Sequence, residues 1–146
     1  MPRMHLQKVI PMAYGPVLAL ENYARKVNDK RTYELVKIRA SAINGCGYCL
    51  AMHVRDARKL GESEQRIAAL ETGWRHQDLW SPAEKAALAL TDELTKLGEH
   101  GVSDAVWDEA IERWGEKRTG HLIIAIATIN VWNRIAIATG LQAEDL

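Results

Sequence analysis

Apolar residues recur along the chain at spacings of three and four, as in Leu35, Ile38 and again Ala87, Leu90, Leu94. No sustained alternation bounded by turn dipeptides occurs. That periodicity predicts helices throughout, and the punctuation divides them. Pro16 fits the first turn of a helix reaching about Val27, ended by Asn28-Asp29-Lys30. A second helix spans about Thr32 to Ile43 and stops at Asn44-Gly45. A third spans about Cys46 to Leu60, with Gly61 at its C′ position. Ser63 caps a fourth that ends near Gly73. Ser81-Pro82-Ala83-Glu84 joins a capping box to a first-turn proline and opens a fifth, ended by Gly98. Ser103 caps a sixth to about Trp114, and the last runs from about Glu116 to Thr139. From Leu122 to Ile129 that last helix is apolar nearly all round, as a central helix covered by neighbours should be. Residues 73 to 80 read as the longest loop.

The expectation is therefore an all-α, single-domain bundle of about six to seven helices over residues 1–146. Alanine and leucine abound, phenylalanine is absent, and the four prolines leave 17–81 and 83–146 free of the strongest helix breaker. A 47% apolar fraction supports a core without staples. With 19 basic and 19 acidic residues no global field gathers phosphates, so nucleic acid is not an expected partner. The first residues lack a secretory layout, and the longest apolar stretch falls short of the roughly 20 residues of a membrane span. The expected setting is soluble and cytoplasmic.

One cluster of reactive side chains stands out: Cys46-Gly47-Tyr48-Cys49 followed by His53. On a helix turning about 100° per residue, positions 46, 49 and 53 share one stripe. Gly45 and Gly47 place Cys46 near a helix start, where unpaired N–H groups and the macrodipole favour a thiolate. His53, one turn after Cys49, is placed to take that thiol's proton. The same pair could instead be two buried small hydrophobes. Zinc would need four ligands, and the other histidines show no ligand spacing, so no metal is expected. No phosphate loop, GxSxG or HExxH occurs, so no cofactor is expected either. Lys37, Arg39 and Asn44 flank the cluster as structural residues, and Trp107, Trp114 and Trp132 read as core or subunit contacts.

Glu34, eleven residues, Cys46-Gly-Tyr-Cys49, three residues, His53: this register resembles the alkylhydroperoxidase D-like branch of the carboxymuconolactone decarboxylase family. So does the surrounding wording, Glu34-Leu-Val-Lys-Ile-Arg-Ala-Ser41, Ile43-Asn-Gly-Cys46 and Asn130-Val-Trp-Asn-Arg-Ile-Ala-Ile137. The match is strongest over about residues 33–60. It implies an all-α bundle assembling into homotrimers or homohexamers and a thiol-dependent peroxidase of antioxidant defence. By the resemblance, Cys49 attacks the hydroperoxide, Cys46 resolves, His53 is the base and Glu34 the relay carboxylate. An external dithiol, of thioredoxin or lipoyl-protein type, would reduce the disulfide. The best-known members carry a second histidine between the cysteines; Tyr48 stands there in this chain, a phenol that titrates near about 10. Two other readings remain: decarboxylase-like activity on a small lactone acid, which the cysteine pair counts against, and a non-catalytic redox-sensing oligomeric module.

Overall fold

The computed structural model describes residues 1–146. It is helical, with no strand: α1 Leu6–Val9, α2 Pro11–Val27, α3 Lys30–Asn44, α4 Gly47–Lys59, α5 Glu64–Thr72, α6 Pro82–Thr95 and α7 Asp104–Thr139. Single 3₁₀ turns cover Trp74–His76 and Ala143–Asp145. Side-chain caps fix the starts. Asp29, Ser63, Ser81 and Ser103 each accept from the backbone N–H three residues on, and Glu84 returns the bond to Ser81, closing the expected capping box.

Two expected boundaries move and two short elements are added. The helix expected to open at Pro16 opens at Pro11, which takes the N1 position; Pro16 lies inside α2, in its second turn. A short α1 precedes it, unsignalled by any cap. α6 stops at Thr95 rather than at Gly98, which pairs with Gly101 in a tight turn. The loop after Gly73 carries a 3₁₀ turn in which Trp74 is buried. The two last helices follow one another as expected, the break falling at Gly115 with φ 76° and ψ 167°.

α3 is the hub. It packs against α4, α5, α6 and α7, and every residue from Thr32 to Ile38 is buried. Leu35 and Ile38 join Val54, Ala57, Ile67, Leu70, Trp74, Trp80 and Leu88 in one apolar cluster. Tyr33 and Val36, on another face, join Ala24, Leu90, Leu122, Ala125 and Ile126 in a second. α7 holds an 18-residue window with a mean hydropathy of 1.6, of which 44% is buried inside the fold. Leu122, Ala125, Ile126 and Ile129 are its core face, so its apolarity is that of a central helix.

The φ/ψ pair at Gly115 is open essentially to glycine alone, while an added Cβ would meet nothing within 4 Å. Gly115→Ala is expected to cost about 1–3 kcal/mol through the backbone alone. Gly120→Ala, in regular helix with open space around it, is expected to stabilise by about 0.4–1 kcal/mol. Thermal unfolding of the two variants checks the opposite signs.

Candidate active site

The turn between α3 and α4 is built to present the cysteines. Gly45 ends α3 in the left-handed region, φ 68°, where glycine carries no penalty. The Cys46 N–H then returns to Ser41 O at 3.0 Å. Asn44 ties the turn to α7, its amide donating to the Asn130 and Asn133 side chains at 2.9 Å each, and Asn133 donates to Ser41 Oγ at 3.1 Å. Asn44, expected to be structural, is so.

Cys46 and Cys49 form a disulfide. Cys46 is the N-cap of α4 rather than a member of the helical stripe: its backbone is extended and its Sγ accepts from the Cys49 N–H at 3.3 Å. That contact is what a helix N-terminus offers a sulfur carrying negative charge. Both sulfurs are buried, packed on Ala136 with Tyr48 and Leu141 alongside.

Cys49 and His53 line one cavity of about 250 Å³. Tyr48, Met52, Ile135, Ala136 and Leu141 make it mainly apolar, and Tyr14 and Trp132, ring centroids 5.5 Å apart, form a wall. Glu21 and Arg25 of α2 complete it. Cys46 does not line it.

His53 Nδ1 lies 3.2 Å from Glu34 Oε2, both residues being buried. The ring N–H points off the line joining them, and neither atom has another partner. Glu34 Oε1 is held by Lys37 at 3.0 Å. Burial pushes the Glu34 carboxyl up, but His53 and Lys37 together outweigh it and hold it below the usual carboxylate range. Lys37, expected only to flank the cluster, is itself buried at 4% exposure and reaches Glu21 at 3.9 Å. Glu21 accepts from Tyr33 Oη at 2.7 Å and Trp132 Nε1 at 3.3 Å. Burial and the neighbouring Glu21 carboxylate push the Tyr33 phenol far above its ordinary value. The second flanking residue, Arg39, points elsewhere, onto Asp92 and Leu70 O.

Glu34, His53 and Asp56 also bring donor atoms within 4.8 Å of one another. Lys37 already occupies Glu34, and Arg55 and Lys59 hold Asp56 at 3.2 and 3.5 Å. Three cations on two carboxylates make an ion-pair network, poorly suited to a further cation.

The model of the carboxymuconolactone decarboxylase family matches residues 14–93. An uncharacterized Bacillus subtilis (strain 168) protein, YdfG, is 39% identical over 144 residues, covering 98% of this chain and 97% of that one. The chain belongs to the carboxymuconolactone decarboxylase family. The crystal structure of a protein of unknown function from Agrobacterium tumefaciens, suggested to be the antioxidant defence protein AhpD, superposes with a TM-score of 0.93 at 36% identity, over 97% of each chain. An uncharacterized peroxidase-related protein of Ralstonia eutropha JMP134, with an alkylhydroperoxidase AhpD core, shares the fold at 22% identity and a TM-score of 0.78, over 97% of this chain and 76% of that one. The family match takes in Tyr14, Glu21, Glu34 and the cysteine motif; Trp132, Ile135 and Leu141 complete the cavity from beyond it. The AhpD-like helical fold expected from the sequence is the observed one.

Sequence reasoning grouped Glu34, Cys46, Cys49 and His53, and the fold brings all four together. It missed Glu21, Arg25, Tyr14 and Leu141, and took Trp132 for a core or subunit residue. Trp132 sits 111 positions from the Glu21 it bonds, a separation no local pattern spans.

Because Glu34 titrates lower folded than unfolded, its ionisation adds stability that is full above the unfolded value of about 4.3 and is lost as pH falls through the depressed folded one. The stability gap between wild type and Glu34→Gln, measured by urea unfolding, is expected to be widest near neutrality and to narrow below about pH 4.3.

Proposed function

We propose that this protein is a thiol-dependent oxidoreductase that reduces organic hydroperoxides by cycling Cys46 and Cys49 between dithiol and disulfide. The observation that carries this reading is a disulfide on the wall of an apolar cavity shared with a histidine backed by a buried carboxylate. In the reduced form His53 takes the Cys49 proton at Nε2, its Nδ1 being turned to Glu34. The Cys49 thiolate attacks the terminal oxygen of the hydroperoxide: an S–O bond forms, the O–O bond breaks, and the alkoxide takes up a proton and leaves as alcohol. Cys46 then attacks the sulfenic sulfur, forming the disulfide and releasing water. Overall, one hydroperoxide and two thiols give one alcohol, one water and one disulfide.

An external dithiol of thioredoxin or lipoyl-protein type restores the thiols by exchange, in the reducing cytoplasm. Exposed apolar residues on and between the first two helices, Val9, Ile10, Met12 and Leu18, support assembly into a homotrimer or homohexamer. The Agrobacterium tumefaciens relative suggested for antioxidant defence supports the same role. No metal or organic cofactor enters this scheme. Tyr48 lines the cavity, and its contribution is to shape rather than to proton transfer.

Free thiols are to be counted on fully reduced protein before and after one equivalent of an alkyl hydroperoxide. Wild type is expected to lose two; Cys46→Ser is expected to yield a trappable sulfenic acid at Cys49, and Cys49→Ser none. Full peroxide consumption by Cys49→Ser, or no thiol loss in wild type, would overturn the proposal.

A further inference from the structure

A fully buried lysine is uncommon unless it is paired, and Lys37 is paired twice. Its ammonium lies 3.0 Å from Glu34 on its own helix and 3.9 Å from Glu21 on α2, above the Tyr33 ring at 3.8 Å from the centroid. Every contact of the Glu21 carboxylate is a donor: Tyr33 Oη, Trp132 Nε1, Lys37, and Arg25 at 3.7 Å. The result is a line of groups, Glu21, Lys37, Glu34 and His53, whose two end residues line the same cavity as Cys49.

We propose that Lys37, anchored by Glu21, is a positioning residue for the thiol chemistry: it occupies one Glu34 oxygen, keeps that carboxyl ionised, and leaves the other oxygen for His53. The inference rests on the dithiol reading of the site. Its logic is electrostatic. When His53 takes the Cys49 proton an imidazolium forms beside a buried carboxyl group. A carboxylate stabilises it; a neutral carboxylic acid does not. Burial alone would drive Glu34 toward the acid form, and the ammonium at 3.0 Å counters that drive. Glu21 in turn fixes the ammonium, so that Lys37 does not swing out to solvent.

Charged groups on the neighbouring elements have partners of their own. On α2, Arg25 rests on Glu21; on α4, Asp56 is held by Arg55 and Lys59. On α6, Asp92 is taken by Arg39 and Arg75, and on α5 Arg66 is taken by Glu62 and Glu84. α7 contributes an uncharged indole to this line.

The test is the pH dependence of alkylation of reduced Cys49 by iodoacetamide in a Cys46→Ser background, a readout independent of peroxide. Lys37→Met is expected to raise the midpoint by about one pH unit or more, the size of effect one close charge has on a neighbour. Lys37→Arg is expected to restore it. Glu21→Gln, which releases the ammonium from its anchor, is expected to move it the same way by a smaller amount. In a Glu34→Gln background the Lys37→Met shift is expected to collapse, since the effect acts through Glu34. An unmoved midpoint in Lys37→Met, or a shift of equal size with and without Glu34, would overturn the inference. A merely structural lysine would lower the melting temperature without moving the midpoint. Failure of the dithiol reading would appear separately, as wild-type protein whose thiols survive peroxide.

Discussion

The site depends on one contact between two helices, that of Glu34 on α3 with His53 on α4. Both side chains are buried, and each has an oxygen or nitrogen with no other partner than the opposite group. A buried polar atom left alone costs about 1–3 kcal/mol, so the pair constrains how α3 and α4 meet. The packing of Leu35 and Ile38 against Val54 and Ala57 sets the same helix interface from the apolar side. Nδ1 faces Glu34 at 3.2 Å, which leaves the other ring nitrogen for the cavity that Cys49 lines.

Around that contact the protein assembles more charge than stability calls for. Glu21, Lys37 and Glu34 are all nearly sequestered from water, and a buried ion pair often does no better than well-packed apolar residues in its place. Their arrangement is better understood from the proposed chemistry. An apolar cavity weakens water's competition, so each fixed charge acts more strongly on a group that changes ionisation. The cysteines gain from a separate source: Cys46 is the N-cap of α4, and its sulfur accepts a backbone N–H from the first turn. On the proposed reading, a charge relay behind Cys49 and a helix terminus at Cys46 act on the two sulfurs by different means.

Much of this was legible in the sequence because it is local. Capping residues such as Ser81 with Glu84 act within one turn, and Cys46, Cys49 and His53 lie within two turns of each other. Glu34 was legible only through its register with them, since its approach needs α3 packed on α4. Where local signals competed, the sequence misled: Pro11 and Pro16 both suit a helix start, and the residues between them are helical, with Tyr14 set against Trp132 of α7. Lys37 sits one turn from Glu34 and reads as an ordinary surface pair; its burial and its approach to Glu21 of α2 come from the tertiary fold. The wall made by Tyr14 and Trp132 joins the two ends of the chain, beyond any periodic signal.

The most direct measurement is the tautomer of His53 in the reduced protein, read from its ring nitrogens by two-dimensional ¹⁵N NMR above the pH at which the imidazole is charged. A proton on Nδ1 with Nε2 unprotonated is predicted, together with loss of that preference in Glu34→Gln. A neutral ring protonated at Nε2 would contradict the account, because such a histidine has no free nitrogen on the cavity side to accept the Cys49 proton.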